Sequence, residues 1–154
     1  MTRLLLTVGN EMMGDDGAGA LLAQRVRAAP LDGWVCLHGG SLPEARLHQV
    51  RELAPGRVLI VDAAEMGLPT GQVRRLAAAQ LAEALAADPF LLTSHALPLG
   101  FLVEALQEFV PQVELVGIQP GTVAFGLPLS EAVRTAVDWV YAQLHSGAED
   151  FIDL

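Results

Sequence analysis

The sequence predicts an α/β fold: a three-layer sandwich with a mostly parallel (mixed) sheet of about five strands and helices on both faces. Three observations carry this expectation. Short apolar runs alternate along the chain with stretches whose apolar residues recur at helical spacing. The run Arg57-Val58-Leu59-Ile60-Val61-Asp62 is apolar on both pleat faces, which suits a central strand covered from both sides. The opening run Leu4-Leu5-Leu6-Thr7-Val8 passes through a glycine-punctuated loop straight into an amphipathic stripe of Ala18, Leu21, Leu22 and Val26.

The elements follow in order. Residues 4–8 form the first strand and residues 17–28 the first helix, closed by Pro30 and Gly33. Residues 34–38 form the second strand, ended by Gly39-Gly40. Ser41 with Glu44 has capping-box spacing, so the second helix is expected to start there. Leu47, Val50 and Leu53 are its apolar face, and Pro55-Gly56 stops it. Residues 57–62 are the central strand. Gly67, Pro69 and Gly71 mark a turn, and residues 72–76 are an edge strand. The Ala-rich stretch 77–87 is helical by propensity and ends at Asp88-Pro89. Thr93-Ser94-His95-Ala96-Leu97-Pro98 is a loop leading into a helix with the stripe Leu99, Leu102, Val103, Leu106. Residues 113–118 are a further strand, stopped by Gln119-Pro120-Gly121, and residues 122–126 carry no clear signal. Ser130 caps the last helix, striped by Val133, Val137, Val140 and Leu144. Residues 1–147 are thus expected to be one domain, and residues 148–154 a mobile acidic tail.

Composition sets the bounds. With 154 residues, 52% hydrophobic and 18% charged, the chain has a globular profile. A domain of this length hides roughly 70% of the surface its unfolded chain exposes. The net charge is −9 and all nine basic residues are Arg, a balance that argues against a nucleic-acid backbone as partner. No run reaches the ~20 apolar residues of a membrane span, and the apolar N-terminal run lacks a signal-peptide cleavage site. A cytoplasmic protein with no membrane association is expected. The single cysteine, Cys36, cannot form an internal disulfide and reads as a structural thiol in the second strand.

In open α/β sheets ligands sit beyond the carboxyl ends of the strands. The residues there are the loop 9–17, Gly39-Gly40, Asp62 and Gln119. The loop does not suit a phosphate. Asp15 and Asp16 occupy the helix start, as cap or first-turn acids, which the dipole stabilises by about 0.3–1 kcal/mol each. They would repel an anion from the same place, and no Lys follows the glycines as a phosphate loop needs. The loop therefore favours a cation. Asp62 adds a carboxylate at the central strand end; neighbouring strands lie about 4.8 Å apart, so the carboxylates at two strand ends can share one ion. His95, in a loop before a helix start with no packing role there, is the natural third ligand. Asp16, Asp62 and His95 make a site for Zn, Ni, Fe or Mn, with positions open for water or substrate. His48 and His145 read as helix-surface residues and His38 as a strand-end His near the site. Ser94 adjoins His95, but no nucleophile triad is evident.

At this point the residues match a family pattern. Gly9-Asn10-x-Met12-Met13-Gly14-Asp15-Asp16-Gly17-x-Gly19, Val61-Asp62-Ala63, Thr93-Ser94-His95-x-Leu97-Pro98-Leu99 and Gly117-Ile118-Gln119-Pro120 resemble, in that order, the maturation endopeptidases of [NiFe] hydrogenases. The resemblance spans about residues 3–145. Gly39-Gly40-Ser41-x-Pro43-Glu44 and the Met12-Met13 pair place it nearest the formate-hydrogenlyase (hydrogenase 3) branch. The resemblance implies an endopeptidase that removes a short C-terminal extension from the large-subunit precursor after nickel insertion. It implies that Asp16, Asp62 and His95 are the catalytic, metal-coordinating set, with nickel carried by the precursor as the recognition signal. Asp15 or Asp16 is the candidate base for the attacking water. Glu11 departs from the family pattern. Two other readings stay open on the residues: a non-enzymatic nickel-recognition or chaperone module with the same three ligands, and a hydrolase resembling peptidyl-tRNA hydrolases, which also open with a strand into a Gly-Asn loop.

Overall fold

The computed structural model describes residues 1–87 and 96–154, with side chains described for residues 1–83 and 99–154. Residues 88–95 lie outside it, and with them the expected Asp88-Pro89 break, Ser94 and His95.

Five strands form one sheet: β1 (Arg3–Val8), β2 (Trp34–Gly40), β3 (Arg57–Ala63), β4 (Val73–Ala77) and β5 (Gln112–Ile118). Their order is β2-β1-β3-β5-β4. All neighbours are parallel except β4, which runs antiparallel to β5 at the edge. The mostly parallel sheet and its edge strand are as the sequence predicts. The helices are α1 (Ala18–Ala28), α2 (Leu47–Leu53), α3 (Ala78–Ala87), α4 (Ala96–Gln107) and α5 (Glu131–Ser146).

Alternation along the strands sorts the core into two layers. Leu4, Leu6, Val8, Val58, Ile60 and Leu115 face one side, with Val50 of α2, Leu81 of α3 and Leu99, Leu102, Val103 and Leu106 of α4. Leu5, Leu59, Val61, Val116 and Ile118 face the other, against Leu22 and Val26 of α1 and Val133, Val137 and Val140 of α5. β1 and β3 are thus buried on both faces, which is why their sequences read as unbroken apolar runs. Asp62 continues the Val58–Ile60 alternation and so belongs to the α4 side of the sheet.

Two local expectations are corrected. The capping box at Ser41 does not form. The chain turns through a short 3-10 segment, Pro43–Arg46, whose cap position is held by Leu42 with no side-chain cap bond. Ser41 therefore lies one residue too early to cap, and Glu44 falls out of the reciprocal position. The C-terminal tail is not mobile but docked. Phe151 is buried and meets Trp139 edge to face at 5.8 Å. The Arg75 N–H donates to the Ile152 carbonyl at 2.8 Å, and Leu154 N–H donates to the Arg75 carbonyl at 3.0 Å. Asp153 thereby forms a parallel bridge with Arg75 and covers an otherwise open stretch of the β4 edge. Glu149 closes the arrangement by accepting two bonds from the Arg57 guanidinium, at 2.9 and 2.6 Å.

Candidate active site

The site forms where β1 and β3 end side by side. After Val8 the chain enters Gly9, whose N–H donates to the Gly40 carbonyl of β2 at 2.8 Å. Gly9 has φ of +125°, a conformation that L side chains rarely adopt. A Cβ at this position would overlap the Asp16 carbonyl oxygen and lie 3.6 Å from Asp62 Oδ1. Gly9 thus lets the loop carrying Asp16 fold down beside the Asp62 carboxylate.

The loop is built from its own backbone. Asn10 Oδ1 accepts from Met12 N–H at 2.9 Å, a side-chain-closed turn. Met13 N–H donates to the Asn10 carbonyl at 3.1 Å. The chain then makes a 3-10 turn, Gly14–Gly17, that packs against β3. Asp16 Oδ2 accepts the Asn10 N–H at 2.9 Å, which folds the carboxylate back over the strand end. Asp15 and Asp16 are first-turn acids of this 3-10 turn. Neither caps α1, whose cap position is Gly17 with no side-chain bond, because the extra turn moves both aspartates one step ahead of the helix.

The two aspartates part company. Asp15 accepts from Gly121 N–H at 2.8 Å, Thr122 N–H at 3.3 Å, Ser130 N–H at 2.6 Å and the Ser130 hydroxyl at 2.9 Å. It is buried and spent on structure, so it does not fit the role of base. Ser130 is also the cap of α5, its hydroxyl accepting from Val133 N–H. Asp16 and Asp62 are buried as well, at 6% and 0% exposure. The sequence suggests a solvent-facing layer for them; the loops close over both instead.

Around this pair, Gln119 braces the chain after Asp62. Its Oε1 accepts from Met66 N–H at 2.7 Å and Leu68 N–H at 3.2 Å, and its amide donates to Glu65 at 3.0 Å. His38 lies within 2.8 Å of the Thr7 hydroxyl through Nδ1 and lines a groove of about 350 Å³ with Gly9, Asn10 and Glu11. Burial holds its imidazole below the ordinary His range, against the opposing pull of Glu11. Glu11 accepts from Gln24 at 3.3 Å on the exposed rim. Cys36 is half-buried and its thiol is pushed up to about 11 by burial, which keeps it protonated and unreactive near neutral pH. His48 pairs with Glu52 on the surface of α2, and His145 stacks on Tyr141. A larger hollow, about 680 Å³, lies between β4 and α5 and contains none of these residues.

Of the three residues that sequence reasoning selects, Asp62 lies near the end of β3 and Asp16 in the 3-10 turn of the loop that follows the adjacent strand β1, while His95 lies outside the described residues. Among the described residues no three His, Cys, Asp or Glu side chains converge to hold an ion. α4 begins at Ala96 and packs on the sheet face to which Asp62 belongs. The roles of Asn10 and Gly9 in seating Asp16 are not legible from residue chemistry, although Gly9-Asn10 opens the loop motif that the sequence shows.

Comparisons with known proteins bear on the family and the fold. The profile of a family described as hydrogenase maturation protease matches residues 20–146. The chain is 46% identical over 144 residues to the hydrogenase 3 maturation protease of Escherichia coli K12, covering 94% of this chain and 89% of that protein. It superposes on a crystal structure of the hydrogenase 3 maturation protease with a TM-score of 0.88 and 44% identity, over 100% of this chain and 97% of that one. The solution structure of the endopeptidase HycI from E. coli matches equally well, with a TM-score of 0.88 and 41% identity, over 100% of this chain and 97% of that one. A protein so close to these along nearly its whole length, in sequence and in fold, belongs to the hydrogenase maturation protease family and is a peptidase.

Proposed function

We propose that this peptidase removes the C-terminal extension of a [NiFe] hydrogenase large-subunit precursor after nickel insertion, and that Asp16, Asp62 and His95 recognise the nickel the precursor carries. The observation that carries this reading is that Gly9 lets the loop bearing Asp16 pass close to the end of β3: a Cβ there would overlap the Asp16 backbone carbonyl and lie 3.6 Å from Asp62 Oδ1. Asp16 and Asp62, one on the loop after β1 and one near the end of β3, are hard oxygen donors of the kind that suit a cation. His95 completes a set of two oxygen donors and one nitrogen, a chemistry suited to a borderline divalent metal.

In this reading the nickel is part of the substrate. Its contribution is to polarise the scissile carbonyl and to report that the precursor is ready. The chain's own residues do the rest. Asp16, held by the Asn10 N–H, and Asp62, held in the sheet, position the precursor's metal centre. Asp16, on the loop that passes close to Asp62, is the carboxylate assigned to accept a proton from the attacking water. Glu65 and Gln119 hold the chain that follows Asp62. The reaction would take place in the cytoplasm; no helix among the described residues is long and apolar enough to cross a membrane.

Incubating the purified protein with nickel-loaded and nickel-free precursor tests the reading. Cleavage of the loaded form alone supports it. Binding without cleavage would point to a nickel-recognition module, and cleavage of both forms would remove nickel from the recognition step.

A further inference from the structure

A second feature of the same loop layer lies outside the reacting groups. Four large apolar side chains stand exposed there: Met12 at 54%, Val123 at 45%, Phe125 at 74% and Leu127 at 44%. They come from two loops more than a hundred residues apart that are fastened together. Asp15 N–H donates to the Thr122 carbonyl at 2.9 Å, and Gly126 N–H donates to the Met12 carbonyl at 2.8 Å. The Asp15 carboxylate holds Gly121, Thr122 and Ser130 from below. Gly14 completes the fit: at φ +61°, it brings the loops so close that a Cβ there would lie 2.6 Å from the Thr122 carbonyl oxygen. Beside this ledge runs a groove of about 400 Å³ whose walls include Met12, Gly17, Pro128 and Leu129. Gly17 directly follows Asp16.

Exposed apolar groups clustered on one ledge and rimmed by polar residues mark a protein-interaction surface. A buried polar network that locks such a ledge in place lowers the ordering cost of binding. We propose that Met12, Val123, Phe125 and Leu127 form the docking surface on which the folded large-subunit precursor seats an apolar patch neighbouring its extension. The inference rests on the proposed function and names the contact that gives that reaction its protein specificity. Two facts favour this occupant over a second copy of the chain. The ledge is continuous with the loop that carries Asp16, so it lies where the substrate must approach. A second copy seated there would cover that same loop and obstruct the reaction. Asp15 is then a positioning residue for the ledge, not a group that touches the reacting atoms.

The test compares wild type with Phe125→Ser/Leu127→Ser and with Met12→Ser in steady-state cleavage of the full nickel-loaded precursor. The expected result is a KM raised at least tenfold, with kcat within about threefold of wild type and an unchanged thermal midpoint; that split is the mark of lost binding that is uniform between ground and transition states. An unchanged KM overturns the proposal. A wild type that sediments as a dimer, with the double variant monomeric and its KM unchanged, overturns it in favour of a second copy. Should the wild type bind precursor without cutting it, the endopeptidase reading fails, and the docking surface is then judged by direct binding: a tenfold weaker complex for the double variant supports it, equal binding overturns it.

Discussion

The Asp15 carboxylate accepts both the backbone N–H and the hydroxyl of Ser130, at 2.6 and 2.9 Å. The same Ser130 hydroxyl accepts the Val133 N–H at the first turn of α5. One buried carboxylate thus ties the residue 10–17 loop to a helix cap 115 residues away in sequence, while its neighbour Asp16 accepts from Asn10 N–H within the loop.

Asp15→Ala should therefore be a stability variant. It leaves the Gly121, Thr122 and Ser130 N–H groups short of an acceptor, and each buried unsatisfied group costs about 1–3 kcal/mol. Relaxation and entry of water will offset part of that, so a net loss of about 2–4 kcal/mol is expected. Urea denaturation measures it. A midpoint equal to wild type would show that the carboxylate is not the brace described.

Asp62→Asn and Asp16→Asn should abolish precursor processing while the fold persists, since the amide keeps the side-chain volume at a buried position. His95→Ala should do the same. A precursor-cleavage assay beside a circular-dichroism melt separates the two effects, and full activity in any of the three removes that residue from the site. Leu59→Ala, in the core, should behave in the opposite way. It should cost ~2–5 kcal/mol and leave activity largely intact at temperatures where the variant stays folded.

Gly9→Ala should damage both properties. The added methyl meets the Asp16 carbonyl at a backbone angle L residues avoid, a strain on the order of 1–3 kcal/mol. Relief comes by moving the Asp16 loop away from Asp62. Processing should fall by at least tenfold even at temperatures where the variant is fully folded, as followed by single-turnover cleavage. Near-normal turnover would show that the spacing between these loops is not critical.

The tail contact predicts a pH-dependent contribution to stability. The Arg57 guanidinium, bonded to both carboxylate oxygens of Glu149, holds that carboxyl below the ordinary Glu range. Because the folded-state value is depressed, the contribution is fully present above the unfolded value of about 4.3 and is lost as pH falls through the folded one. Glu149→Gln should cost about 1–3 kcal/mol at neutral pH. Its melting difference from wild type should shrink steadily below about pH 4. A difference independent of pH would mean that the ion pair contributes nothing.

Much of the architecture was legible in the chain because burial writes itself into periodicity. Strands covered on both faces must be apolar at every position, as residues 4–6 and 58–61 are. Helices covered on one face must carry a stripe, as Val133, Val137 and Val140 do. The positions of Asp16 and Asp62 at the carboxyl end of the sheet were legible too, since each follows an apolar run that reads as a strand. Local hydrogen bonding was not. Ser41 has the letters of a cap, yet Leu42 holds the cap position, because a cap depends on backbone angles that neighbouring elements set. Residues 148–154 have the composition of a loose tail, yet Phe151 finds a pocket beside Trp139, and Glu149 finds Arg57, 92 residues away.

By itself, then, the amino-acid order determined which segments are strands and helices, which carboxylates end up at the strand tips, and which family pattern they match. These depend on short-range periodicity and on residue type. Only the tertiary structure decided that Asp15 holds the residue 121–130 segment while Asp16 accepts from Asn10 in its own loop, although the two are chemically identical and adjacent. That difference depends on which distant N–H groups each carboxylate meets, and it is the packing of the residue 121–130 segment onto the first loop that brings those groups to Asp15.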